Sequence, residues 1–295
     1  MNYSYLLCLC AFLFITCTEG GDSELSEARR AYESNQTPET AEAYAVAVNN
    51  YVQENAAADR KADALRDLAE AQLEQNQFAQ AVETLQLALR DYPNAAGTAE
   101  NALYLADVYE QRTGNAGGAA VVRQAFIERF PDHPVTAELQ PQFANNPDLP
   151  RKVRVLAEQL YADTTGRIDY KLANEIVMTA ETYALLLPEA EATPELLYQA
   201  GQIAGSARAT NKVIELNQRL YQNHPEHPRA ARALFLTAFA YDNDLNQPEV
   251  ARPLYEEFLQ KYPNDEFVES AEFQLKNLGK SADEIIREFE EQRGE

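Results

Sequence analysis

Three kinds of side chain here could do chemistry: cysteine, histidine and closely spaced carboxylates. Cys8, Cys10 and Cys17 all fall within the first 17 residues, so no disulfide can staple the rest of the chain. His133, His224 and His227 are the only histidines, and His224-Pro-Glu-His227 could present two metal ligands. Both of that pair sit beside prolines, which places them in a turn, and a solvated turn is the expectation. Glu256-Glu257 and Glu290-Glu291 could supply an acid and a base. Adjacent residues on a helix point about 100° apart, so neither pair converges on one bond. No Gly-rich phosphate loop is present. The reading is a non-enzyme with no catalytic residues, no metal and no cofactor.

The elements that would position any site come from a repeat. The second half of the chain matches the first at a constant offset of 132 residues. Pro93 falls on Pro225, Pro131 on Pro263, Ala106 on Ala238, Tyr109 on Tyr241, Ala119 on Ala251 and Phe126 on Phe258. Ala41 and Tyr51 fall on Ala173 and Tyr183. Self-similarity at a fixed period marks a stacked-repeat architecture. Apolar residues recur three and four apart, as amphipathic helices require, and no alternation of period two is sustained. Leu65, Leu68, Ala69 and Leu73 share one helical face; Ala81, Val82, Leu85, Ala88 and Leu89 share another. Asn76-Gln77 turns the chain between them.

This hairpin resembles the tetratricopeptide repeat (TPR), a unit of about 34 residues. Residues 62–95 carry the pattern on Leu65, Leu68, Ala69, Ala81, Leu85, Ala88 and Pro93. Near 99–135 it continues with Ala106, Tyr109, Ala119 and Pro131, with one extra residue in the turn and Phe126 where a small residue is usual. Near 231–267 the same departures return with Ala238, Tyr241, Ala251, Phe258 and Pro263. A weaker copy near 194–228 ends at Pro225. The copies at 25–56 and 155–188 are weakest, with no closing proline expected at the usual place. Tyr104, Tyr109, Tyr161, Tyr183, Tyr198, Tyr241 and Tyr255 read as hairpin packing, with a ligand cage as the alternative. The expected fold is all-α: a TPR-type α-solenoid of about six helical hairpins, in two blocks of three, with a C-terminal capping helix.

The expected organisation is a signal peptide over 1–16, a lipidated tether over 17–23 and a first repeat block over 24–140. A connecting loop over 141–149, a second block over 150–280 and a capping helix over 281–295 follow. The loop reads as a long inter-repeat connection, with a hinge between lobes as the alternative. Ser281-Ala-Asp-Glu284 reads as a capping box, followed by the apolar Ile285, Ile286 and Phe289.

Tyr5–Thr16 is uncharged and too short to span a bilayer, as in a secretory signal. Phe14-Ile15-Thr16-Cys17 resembles a bacterial lipobox, which implies acylation of Cys17; an ordinary secretory signal or an uncleaved anchor are the alternatives. The C-terminal Leu254-Tyr-Glu-Glu-Phe-Leu-Gln-Lys-Tyr-Pro263 and Leu275-Lys-Asn-Leu-Gly-Lys280 look like repeat lipoproteins of Bacteroidota. The likeness extends to barrel-assembly and cell-wall-coordinator lipoproteins. It implies a lipid-anchored, periplasm-facing outer-membrane scaffold that binds protein or peptide partners without catalysis. The alternative is a surface-exposed ligand-binding lipoprotein assisting nutrient uptake. A formal net charge of -22 disfavours nucleic acid, whose phosphates need clustered Lys and Arg. That charge reads as a self-repelling soluble surface, or as a groove attracting basic or extended polypeptide. Oligomeric state is not legible.

Overall fold

The computed structural model describes residues 19–54, 56–162 and 167–293. Cys17 and the expected signal segment lie outside the described residues. Fifteen α-helices and one π-helical turn occur among the described residues, with no strand. The chain divides into two compact units, Met1–Asn101 and Ala102–Glu295.

The first unit holds α1 (Glu19–Ser34), α2 (Pro38–Gln53), α3 (Ala58–Glu74) and α4 (Phe78–Asp91), each packed on the next. Thr37 and Thr40 close a capping box at the start of α2, with Pro38 in its first turn, where a missing N–H costs nothing. Tyr32, Tyr44, Val48, Tyr51, Leu65, Leu68 and Ala88 make the core. Helix α1 already includes Gly20 and Gly21, which sequence alone places in a loose tether; Gly21 lies against the Glu54 carboxylate.

Helix α5 (Thr98–Gln111) crosses the boundary between units. The second unit then runs through α6 (Ala116–Arg129), α7 (Pro134–Phe143), α8 (Leu149–Ala162), α9 (Tyr170–Leu186), α10 (Thr193–Ser206) and α11 (Thr210–Asn223). It ends with α12 (Ala230–Phe239), the π-turn Ala240–Asp244, α13 (Pro248–Lys261), α14 (Val268–Asn277) and α15 (Ala282–Arg293). From α8 to α14 each helix packs on its neighbour in the chain, which is the stacking of a TPR-type α-solenoid.

The offset of 132 residues seen in the sequence holds in the backbone: α4 maps onto α11, and α6 onto α13, residue for residue. Helices α7 and α14, which the hairpin pattern alone does not predict, are the seventh members of the two blocks. The expected break over 141–149 is narrower. Pro141 lies inside α7, near its C-terminal end, and only residues 144–148 are non-helical. Helix α6 packs on both α8 and α9, so stacking continues past that point. The boundary between compact units falls at Asn101, inside a helix and away from the duplication point.

The hairpin turns repeat atom for atom. In the turn after α3, Asn76 has φ 59°, its N–H donates to Leu73 O, and the Gln77 N–H donates to Gln72 O. After α10, Arg208 has φ 58°, donating to Gly205 O, while the Ala209 N–H donates to Ala204 O. Both are Schellman motifs, which satisfy carbonyls at a helix end. Arginine in the left-handed region is strained. Arg208→Gly is therefore expected to raise stability by about 0.5–1 kcal/mol after the glycine entropy cost. Equal or lower denaturant midpoints would show the strain to be negligible.

The extra residue shared by the 99–135 and 231–267 copies is absorbed in widened helix ends. Thr113 N–H donates to Val108 O and Asn115 N–H to Tyr109 O; Leu245 and Gln247 do the same to Ala240 and Tyr241. These are π-type and still wider closures of the helix end. Gly114 and Asn246, both at positive φ, occupy the same place in the two copies.

Between hairpins the connection is one five-fold device. Tyr92, Phe130, Leu187, His224 and Tyr262 each cap a helix at φ near -125° and each precede a proline. Each cap N–H donates to the carbonyl four residues back. Proline keeps its predecessor out of the helical region, and these caps sit at ψ 55–62°, so the helix stops there. Pro188 closes α9 in this way, which corrects the expectation that the 155–188 copy lacks such a proline. Pro131, Pro225 and Pro263 are exposed and Pro93 half-buried. They act through the backbone rather than by packing.

Candidate functional site

The motif positions divide by burial. Leu65, Leu68, Ala69, Ala81, Ala88, Ala106, Tyr109, Ala119, Ala238 and Ala251 are buried, whereas Tyr241 is half-buried within the π-turn. Tyr183, Tyr198 and Tyr255 are buried, with the Tyr183 hydroxyl donating to Glu128 at 3.0 Å; Tyr161 is 60% exposed. The histidines have work inside the turns. His133 and His227 accept at Nδ1 from the N–H two residues on, each at 3.3 Å, and His224 caps α11. Burial lowers the His224 pKa, which disfavours its charged form. Glu257 is paired with Lys261 at 2.7 Å, and Glu256 is exposed. At the C-terminus, Ser281 N–H donates to Glu284 at 2.7 Å and Glu284 N–H returns to Ser281 Oγ at 3.3 Å, completing the capping box. Ile286 is exposed on that helix.

The first unit has a small polar cavity of about 130 Å³ between α1 and α3. Glu33, Asp67, Glu70 and Glu74 line it with Arg29, which pairs with Glu33 and Asp67. Tyr32 donates to Glu74 at 2.7 Å and stacks on Tyr44 at 6.0 Å between ring centres. Desolvation raises the Asp67 pKa, with Arg29 opposing it. Burial, then the Asp67 charge, pushes the Tyr44 phenol up to about 12. An unfolded tyrosine ionises near about 10. The folded form therefore holds its proton longer, and stability present below about pH 10 is lost as pH rises toward about 12. The slope is expected to reach up to about 1.4 kcal/mol per pH unit. Tyr44→Phe should flatten the denaturant midpoint between pH 10 and 12; an unchanged slope would assign the loss to other groups.

The second unit has a larger groove, about 730 Å³, along the first helices of three successive hairpins. Helix periodicity builds it. Arg154, Glu158 and Tyr161 lie four and three apart on α8; Glu195, Tyr198, Gln199 and Gln202 form the facing stripe of α10; Arg229 and Arg232 stand at the start of α12. The opposite face of α10 is held in the core by Leu196, Leu197, Ala200 and Ala204. An adjoining recess of about 380 Å³ shares Arg154, Glu195 and Gln199 and extends past Leu196. The Arg229 guanidinium lies 4.7 Å over the Tyr198 ring and 3.5 Å from Glu195. Arg232 lies 5.9 Å from the same ring and 5.4 Å from Phe267, with its Nε buried and unpartnered. Among the described residues, neither Arg154 nor Arg232 has an ion-pair partner.

An acidic chain thus carries a groove lined by three arginines. Identity matching between the halves finds scaffold positions and passes over these. The signal for them lies where the two halves differ.

Residues 63–95 and 232–265 match the Tetratricopeptide repeat family model. They coincide with the helical hairpins α3–α4 and α12–α13, so these two stretches of an all-helical chain are tetratricopeptide repeats. Among similar solved structures is the TPR2AB-domain:pHSP90-complex of yeast Sti1, at 13% identity and TM-score 0.34, covering 87% of this chain and 97% of that one. No curated protein matches the chain.

Proposed function

We propose that this protein is a non-catalytic scaffold of the bacterial cell envelope that binds protein or peptide partners through its helical repeats. The observation that carries the reading is the groove along α8, α10 and α12. Stacked repeats present extended surfaces of this kind, and the side chains there suit recognition: two tyrosines, two glutamines and three arginines. A lipid anchor on Cys17 would hold the scaffold at the outer membrane, facing the periplasm. The Phe14–Cys17 motif supports that anchor. Among the described residues no helix is long and apolar enough to cross a membrane.

Crosslinking in native cells, followed by purification of the tagged protein, tests this reading. A barrel-assembly, cell-wall or secretion component at near-constant ratio is the expected result. Recovery of the protein alone would overturn it. Cys17→Ala is expected to move the protein from the membrane fraction to the soluble fraction; retention on the membrane would remove the lipid anchor from the reading.

A further inference from the structure

The first block is an internal control for the groove of the second. At the 132-residue offset, Arg154 stands where the first block has Asp22, Arg229 where it has Gly97, and Arg232 where it has Glu100. Gln199 and Gln202 stand in place of Asp67 and Glu70. The helices and turns at the two sets of positions follow the same plan. The first block builds the same helices there with acids or with no side chain at all, so helix formation does not call for arginine. Both blocks have three arginines over the groove positions, Arg29, Arg30 and Arg66 of the first standing where the second has Tyr161, Ala162 and Tyr198, but five acids fall to two, so the lining turns from net acidic to net basic.

The three guanidinium groups are also poorly matched from within. Arg229 alone meets a carboxylate, Glu195, at 3.5 Å. Arg232 is held over Tyr198 and Phe267 with a buried, unpartnered Nε. Buried donors are ordinarily satisfied, and the planar guanidinium is suited to paired hydrogen bonds with carboxylate. Glu158 is the other acid on the wall, and it forms no ion pair with Arg154 among the described residues.

We propose that this groove binds an extended, acidic segment of a partner polypeptide. Its carboxylates meet Arg154, Arg229 and Arg232, and an apolar side chain lies on the exposed Tyr161. The proposal rests on the peptide-binding reading above and names the charge of the ligand.

The test is selection from a random 15-residue display library against the full-length chain in non-ionic detergent. Enriched peptides are then labelled and measured by fluorescence anisotropy. The comparison protein carries Arg154→Asp, Arg229→Gly and Arg232→Glu, the residues that the first block uses at those places. Enrichment in Asp and Glu is expected, with affinity at least tenfold weaker in the triple variant and an unchanged thermal transition. Arg154→Asp alone, at an exposed position, should weaken binding in the same direction and keeps the test open if the triple variant unfolds. Neutral or basic binders that survive the substitutions would overturn the acidic ligand while leaving peptide binding intact. Failure to enrich any peptide would overturn both. Self-association of the parent that the triple variant loses would identify the occupant as a second copy, and would overturn the partner segment.

Discussion

Ala81→Arg is expected to abolish the cooperative unfolding transition of the first unit, at a cost of about 3–5 kcal/mol. Ala81 is fully buried on α4, and Ala69 is fully buried on the α3 helix that packs against it. A guanidinium placed there brings a charge with no partner as well as excess volume. A domain is stable by only about 5–15 kcal/mol, so one such change consumes a large share. Glu83→Arg, two residues away and exposed, should change stability by less than about 0.5 kcal/mol. Circular dichroism melts of the two variants separate burial from charge. If Ala81→Arg melted with the parent, α3 and α4 would not be packed as described.

Phe258→Ala is expected to destabilise the second unit by about 3–5 kcal/mol. The repeat pattern reads this position as one where a small residue is usual, and on that reading alanine would be neutral or favourable. The structure reverses the expectation. Phe258 is fully buried on α13, with its ring 5.8 Å from Phe235 and 5.9 Å from Tyr262. Phe235 in turn stacks on Phe267 at 4.9 Å, so truncation leaves a cavity inside an aromatic cluster. Phe126 fills the corresponding place on α6 and is equally buried. The same substitution there should cost a similar amount, and urea unfolding of both variants measures it. A loss under about 1 kcal/mol at either site would mean that the neighbours collapse into the gap.

Much of the architecture is written locally. Periodicity of three and four marks the helices, the small residues mark where they pack closely, and X-Pro pairs mark where they stop. Each of these signals depends on a few neighbouring residues, so a single chain displays them without an alignment. The duplication adds register, because identical residues 132 apart imply the same backbone twice. Two features escaped for physical reasons. Helices α7 and α14 have ten residues each, and α7 carries Pro141 inside it, so a weak local pattern is completed by packing. Pro188 is not legible in the repeat pattern because its block's first hairpin is a weak match to the repeat, although its backbone geometry is the same as at the other four turns.

The site is a different matter. The sequence by itself determined an all-helical, twice-repeated scaffold, its hairpin turns and its acidic balance, since these follow from the local pattern and composition. Only the tertiary structure decided which polar residues face one another. Arg154, Tyr198 and Arg232 lie on α8, α10 and α12, with a whole helix between each and the next along the chain, and they meet because three first helices stack side by side. Net charge is a sum over the whole chain and carries no information on direction, so a strongly acidic protein can turn an arginine-lined groove toward its partner.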